Sequence, residues 1–181
     1  PDIIAIAKGL GAGYQPVGAM LCSKDIYEAI AAGSGFFQHG HTYLAHPVAC
    51  AAAHAVLSKI IASGLPSRAT IMGNKLLQSL QSTFGQHPFI GDIRGRGLFI
   101  GMEFVADRTQ KTPFDPIFGL HRKIKAAAFE AGLLCYPMGG TIDGKNGDHL
   151  LLAPPFILED SHIGEITDKL AIAFDAAMPP T

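Results

Sequence analysis

The sequence predicts an α/β chain in which strands and helices alternate at first and a smaller region of mixed α and β structure follows. Three patterns predict this. Short apolar runs bounded by turn residues occur at 2–7 and 17–22, and two consecutive helical patterns lie between about 46 and 84. A glycine-rich hairpin pattern then begins at about 93 and is followed by further short apolar runs.

The first third of the chain predicts two strands and a short helix. Residues 2–7 and 17–22 are almost entirely apolar, which is typical of strands buried on both faces. Residues 24–32 predict a helix that ends at Gly33, because glycine commonly follows the last helical residue.

Two longer helices are predicted next. The first begins at His46-Pro47, where proline suits the first helical turn, and ends near Gly64. Apolar side chains share one face of this helix: Ala49, Ala52, Ala53, Val56 and Ile60. The second runs over about 67–84, with apolar residues four apart: Met72, Leu76, Leu80 and Phe84. Two consecutive helices here indicate a bridge between domains.

The remaining sequence predicts a small antiparallel sheet with two more helices. Residues 93–105 predict a hairpin, and 133–136 and 150–153 predict further strands separated by a glycine-rich loop. A helix is expected over about 116–131 and another from Asp160 or Ser161 to about 178.

Composition limits the classes of function. The chain is 48% hydrophobic and 16% charged, which favours burial of part of its surface against a partner. Fourteen basic and fifteen acidic residues give a net charge of −1 without a basic stripe, so nucleic acid is not an expected partner. No apolar run is long enough to cross a bilayer, and three widely spaced cysteines predict no disulfide framework, which favours a cytoplasmic location.

Lys8 is the first candidate for chemistry, because it follows an apolar run and precedes a glycine-rich turn, 9–16. A lysine that extends from a strand end to water is the ordinary alternative. The glycines at 9, 11 and 13 do not match a dinucleotide-binding fingerprint, which needs GxGxxG spacing and a helix directly after it.

A second candidate site lies in the histidine-rich segment 36–47. Thr42 and the following backbone N–H groups precede a long helix, an arrangement that can receive a phosphate. His39, His41 and His46 could instead bind a metal, but no carboxylate lies nearby in the sequence to orient them, so ordinary partly buried histidines are favoured.

Four segments, in order along the chain, resemble motifs of the class III aminotransferases, which are fold-type I enzymes that use pyridoxal 5′-phosphate. Residues 1–19, PDIIAIAKGLGAGYQPVGA, resemble the family's cofactor-lysine segment. Residues 39–53, HGHTYLAHPVACAAA, resemble its threonine segment. Residues 94–101 and 153–157, RGRGLFIG and APPFI, are similar to motifs of its small domain.

The resemblance implies roles for two residues. Lys8 would form the Schiff base with the cofactor aldehyde and act as the acid and base, and Thr42 would bind the cofactor phosphate, usually that of the neighbouring subunit. Residues 1–85 would be the C-terminal part of the large domain that binds pyridoxal phosphate, with bridging helices. Residues 86–181 would be the small α+β C-terminal domain of a homodimer. The family's other cofactor-binding elements precede its lysine, so the missing N-terminal half is an expected partner and the chain alone is expected to be inactive.

The same resemblance bears on the substrate. Many members have an arginine that binds the substrate carboxylate two residues before the Ala/Leu-Pro-Pro motif, where this chain has Leu151. Some members that accept amines have a second arginine where this chain has Tyr136. Arg94 and Arg96 are expected to pin their hairpin rather than to meet substrate.

The expected activity is therefore transfer of an amino group between an ω-amino acid or amine and a keto acid such as pyruvate. Two alternatives stay open from the sequence. The first is a decarboxylase, racemase or aminomutase of the same family. The second is a non-catalytic, truncated domain.

Overall fold

The computed structural model describes residues 1–180 and divides the chain into two compact units, 1–64 and 65–181. The division falls between the two consecutive helices. The predicted domain boundary, 1–85 and 86–181, concerns the domains of the family and stays a prediction.

The first unit contains two strands and two helices. Strands β1 (Ile3–Ile6) and β2 (Ala19–Cys22) pair antiparallel, with Ile3 opposite Cys22 and Ile6 opposite Ala19. Helices α1 (Lys24–Ala32) and α2 (Pro47–Ala62) follow at the predicted positions. The His46 ring accepts a hydrogen bond of 3.4 Å from the Ala49 backbone N–H and so caps α2.

The prediction that these strands are buried is wrong for the chain as it stands. All eight strand residues are exposed, and Ile3 keeps 59% of its surface accessible. A sheet of two strands projects side chains from both faces and cannot cover either face by itself. The apolar composition of these segments therefore predicted the strands correctly, but it does not show which surface covers them.

The second unit is a four-stranded antiparallel sheet with three helices. Strands β3 (Ile90–Arg96), β4 (Phe99–Phe104), β5 (Tyr136–Gly139) and β6 (Asp148–Leu152) lie in the order β3-β4-β6-β5. Helices α3 (Leu65–Phe84), α4 (Leu120–Glu130) and α5 (Asp160–Ala177) pack against it.

Alternating burial shows which face of the sheet carries the core. Along β4, Ile100, Met102 and Phe104 are buried between residues that are more exposed. The predicted helical face 72, 76, 80 and 84 joins the same core, as does Phe174 of α5, which meets the Phe84 and Phe104 rings edge to face.

β3 and β6 begin two to three residues before the predicted strands, and two other elements differ more from the prediction. The expected helix over 116–131 is divided by Gly119, whose φ of 63° ends a 3-10 turn at Pro116–Phe118 before α4 begins. The expected strand at 133–136 begins only at Tyr136, because pairing with β6 starts there, opposite Leu151.

Among residues 1–180, no single helix has the length and apolar composition needed to cross a membrane. In the same described residues, the bent pair of α2 and α3 meets these two requirements only when both helices are counted together.

Candidate active site

Lys8 begins a single 3-10 turn, Lys8–Leu10, directly after β1. Its backbone φ is 54°, in the left-handed region that lysine rarely adopts and that costs on the order of 1–2 kcal/mol. The turn is closed by the N–H of Leu10, which donates to the Ala7 carbonyl at 3.1 Å, and by that of Gly11, which donates to the Lys8 carbonyl at 3.3 Å. Strain of this kind at a reactive side chain is typical of functional sites.

Gly11 allows the turn after Lys8 to fold back on itself. It is buried, and a Cβ at this position would lie 2.5 Å from the Gln15 carbonyl oxygen and 2.8 Å from a Val17 methyl group. No helix opens after the glycines, since the chain passes through turns into β2. The geometry thus differs from that of a dinucleotide-binding loop.

The Lys8 side chain is exposed, and within residues 1–180 it makes no hydrogen bond or ion pair. The turn that carries it contacts α2. Its primary amine is thus available for a covalent bond to a carbonyl compound.

Thr42 lies in an exposed turn, five residues before Pro47 opens α2. Some of the backbone N–H groups near it are already used. The N–H of Leu44 donates to the His41 carbonyl and that of His46 donates to the Tyr43 carbonyl. The Thr42 hydroxyl and the N-terminus of a 16-residue helix remain the features that suit an anion.

The structure places the two segments close to each other without a bond between Lys8 and Thr42 in the part of the chain that it describes. A cleft of about 410 Å³ lies between the end of the glycine-rich turn and the histidine-rich segment, and neither Lys8 nor Thr42 is in its lining. It is lined by residues 15–18 on one side and by His41, Tyr43–His46, Ala49 and Cys50 on the other. The described residues contain no group of three or more His, Cys, Asp or Glu side chains that could hold a metal.

Arg94 contacts carboxylates, but its hydrogen bond lies within β3, so its expected role in pinning the hairpin stays a prediction. Its guanidinium donates a hydrogen bond of 2.6 Å to the Asp92 carboxylate and lies 3.9 Å from that of Glu103 on β4. The hydrogen bond to Asp92 is the main cause that raises the pKa of Arg94 above its usual value. No such bond to Arg96 is found among the described residues.

Tyr136 and Leu151 are cross-strand partners. The sheet register continues from them in one row, through Gly101 of β4 to Arg94 of β3. Because neighbouring strands lie about 4.8 Å apart, the two side chains share one patch of the face that the helices leave open. The two positions that the sequence analysis links to arginines in other proteins thus meet at one place.

An open cleft of about 590 Å³ occupies the same face. Its lining includes Arg94, Phe99, Glu103, Thr141, His149 and Leu151. The Thr141 hydroxyl and the His149 Nδ1 are 2.6 Å apart, so a hydrogen bond ties the β5–β6 loop to this face.

A hydrogen-bonded pair, His121 and the buried Asp148, was missed by the sequence analysis. The Asp148 carboxylate accepts a hydrogen bond of 2.5 Å from the Nδ1 of His121, and one of 3.2 Å from its backbone N–H. The partners are 27 residues apart and share no motif, so only the string Gly147-Asp148-His149 before an apolar strand could have drawn attention to them.

Comparison with known proteins identifies the family. The model of the class III aminotransferases matches residues 1–174. The chain belongs to the class III aminotransferase family. The recognition made from the four segments, and the α/β fold of the fold-type I enzymes, are confirmed.

Two relatives illustrate the range of the family. An uncharacterized aminotransferase of Schizosaccharomyces pombe is 44% identical over 175 residues, which are 94% of this chain and 37% of the relative. Gamma aminobutyrate transaminase 3, chloroplastic, of Solanum lycopersicum is 33% identical over 184 residues, which are 100% of this chain and 33% of the relative. The chain thus spans about a third of the length of these class III aminotransferases.

Two solved structures are similar to the chain over nearly its whole length. An amine transaminase from an uncultivated Pseudomonas species, in a form bound to pyridoxal phosphate, is 38% identical with a TM-score of 0.87. The match covers 98% of this chain and 39% of that one. A thermostable (S)-enantioselective omega-transaminase from Thermomicrobium roseum is 33% identical with a TM-score of 0.88, covering 99% and 38%.

Proposed function

We propose that this chain supplies the reactive lysine of a transaminase dependent on pyridoxal 5′-phosphate, and that it acts within a longer polypeptide. The observation that carries the proposal is Lys8, an exposed amine at a left-handed backbone position, in a segment with the family's lysine motif. We further propose that the 181 residues alone do not hold the cofactor or turn over substrate.

The residues present fit pyridoxal phosphate in the chemistry of their groups. The Lys8 amine can bond to its aldehyde, and the Thr42 hydroxyl beside the N-terminus of α2 suits its phosphate. When bound, the cofactor supplies an electron sink for the bond that breaks at the substrate α-carbon.

Lys8 would have two tasks. Its Nζ would hold the cofactor between turnovers. After substrate has displaced it, the free amine would accept the proton from the substrate α-carbon and donate that proton to the cofactor carbon. Thr42 would hold the phosphate of the neighbouring subunit in a homodimer.

The proposed donor is an ω-amino acid or amine, and the proposed acceptor a keto acid such as pyruvate. Leu151 and Tyr136 support this, because neither carries a guanidinium that could bind an α-carboxylate in the bidentate way of arginine. A tyrosine hydroxyl can still donate one hydrogen bond to the carboxylate of an acceptor.

Two experiments on the full-length protein test the proposal. Lys8→Ala should abolish the absorbance band of the Schiff base between the protein and the cofactor, and should abolish transamination. Lys24→Ala, which removes another exposed lysine that pairs with Glu28 at 3.2 Å, should leave both unchanged. A Lys8→Ala variant that keeps the band and the activity would refute the role of Lys8. Product analysis that shows no aminated cofactor after a half-reaction would favour a decarboxylase, racemase or aminomutase.

The substrate is tested with a panel of amines and α-amino acids. The wild type should prefer amines, and Leu151→Arg should raise the relative kcat/KM for α-amino acids by about tenfold or more, by adding a bidentate partner. Leu151→Met, similar in volume and uncharged, is the control. A wild-type preference for α-amino donors would overturn the proposed substrate class.

A further inference from the structure

We propose that His121 and Asp148 are positioning residues that hold the Tyr136–Leu151 pair in place from the opposite side of the sheet, an inference that rests on the proposed function. Neither residue lines the open cleft, to which the pair contributes Leu151, and Asp148 is buried on the opposite face of the sheet. Their effect would pass through the backbone of β5 and β6.

Asp148 is the anchor of this arrangement. It is the first residue of β6 and only 4% exposed, and in the described chain it and Thr167 are the two buried polar or charged residues. One carboxylate oxygen accepts both hydrogen bonds from His121, that of the ring and that of the backbone. A buried carboxylate with these partners fixes the first turn of α4 to the start of β6.

Gly139 extends the anchor to β5. It lies opposite Asp148 in the register, and a Cβ there would come 2.6 Å from the Cε1 of His121. The imidazole thus lies directly against the backbone of β5, and the strand cannot approach α4 any further. A side chain at 139 would displace either the ring or the strand.

β5 depends on this support more than the other strands do. β3 and β5 are the two edge strands of this sheet, and edge strands open more easily than central ones, but β5 has four residues where β3 has seven. Tyr136 is at the opposite end of the same four residues, 60% exposed. A shift at Gly139 is therefore transmitted along one short strand to the side chain that would meet substrate.

The test uses the full-length protein with Asp148→Ala and Asp148→Asn. Loss of the carboxylate should raise the KM for the keto-acid acceptor, whose carboxylate Tyr136 would bind, by about tenfold or more with kcat nearly unchanged, because a contact made equally in ground and transition states affects KM alone. Asp148→Asn keeps an oxygen acceptor and the shape of the side chain. It should give a smaller rise and should fold if the alanine variant does not.

Thr167→Val is the matched control. Thr167 is the other buried polar residue, and its hydroxyl is 2.9 Å from that of Ser79 between α3 and α5. Its loss should lower thermal stability without changing the KM. An equal rise in KM for this control would show that general destabilisation, rather than positioning, is at work.

A second measurement does not depend on turnover. Amide hydrogen exchange should become faster at 136–139 in the Asp148 variants and stay unchanged at 90–96. Unchanged protection of β5 in Asp148→Asn and Asp148→Ala overturns the inference even if the enzyme is an amine transaminase. If the wild type were inactive and the Asp148 variants still exchanged faster at β5 than the wild type, the result would count against the proposed function. The support of β5 by Asp148 would still be established.

Discussion

Replacing Gly73 with alanine should destabilise the chain, although the same replacement usually stabilises a helix. Gly73 is buried in the interior of α3, and a Cβ there would overlap the backbone of Gly97 at the tip of the β3–β4 hairpin. Gly97 has a φ of 57°, so the turn at the tip of the hairpin depends on a left-handed residue, and moving Gly97 away from α3 would disturb that turn. The close approach of helix and hairpin therefore requires glycine at 73.

The magnitude follows from two opposing terms. Alanine in a helix interior is favoured over glycine by about 1 kcal/mol. Overpacking typically costs about 1–3 kcal/mol, and the upper end applies because the opposing atoms are backbone. The net loss in free energy of unfolding should be about 2 kcal/mol, measured from the midpoint of urea unfolding followed by circular dichroism.

Gly164→Ala is the control for this prediction. Gly164 lies in α5, and a Cβ there would meet nothing within 4 Å. The free energy of unfolding should therefore rise by about 0.5–1 kcal/mol. If Gly73→Ala were as stabilising as Gly164→Ala, the packing of α3 against the hairpin would be wrong.

Three further predictions concern single side chains. Burial lowers the pKa of His87, with the charge of Asp175 opposing it, so the folded state binds fewer protons than the unfolded state. The free energy of unfolding should fall as the pH drops below about 6.5, the pKa of histidine in the unfolded chain. In thermal melts, His87→Gln should reduce the dependence of the melting temperature on pH, and an unchanged dependence would contradict this assignment. The Arg68 guanidinium donates to the carbonyls of Phe156 and Leu158, so Arg68→Ala should lower the free energy of unfolding in urea by about 1–2 kcal/mol. Arg68→Lys should recover only part of this loss, because lysine lacks the planar set of donors. An unchanged free energy of unfolding in Arg68→Ala would show that the contact is unimportant. Burial raises the pKa of Cys135 to about 11, so at pH 8 a thiol reagent should modify it far more slowly in the native chain than in urea; equal rates would refute its burial.

Much of the fold could be predicted from the sequence, because its signals are local. Pro47 and Gly33 mark helix ends through their own backbone preferences, and both predicted ends agree with the structure to within two residues. The divided helix at Gly119 and the late start of β5 could not be predicted. The first depends on one left-handed residue, and the second on where β6 offers a partner.

The candidate site could be predicted only in part. Lys8 and Thr42 stand in recognisable segments, and their roles remain predictions. The Tyr136–Leu151 pairing needs the sheet register, and the His121–Asp148 pair joins residues that are distant in sequence. Contacts of this kind follow from tertiary packing, which no local pattern encodes.

The two units differ in how much apolar surface each buries, and this difference affects the segment that contains Lys8. In residues 1–64 only Gly11, Ala49 and Ala53 are buried, whereas the sheet of the second unit has a continuous core. A two-stranded sheet with exposed isoleucines has little burial to offset its conformational entropy. The strained backbone at Lys8 adds a further cost that residues 1–64 alone are poorly placed to offset. The backbone geometry at Lys8 should therefore depend on packing against surfaces beyond residues 1–64.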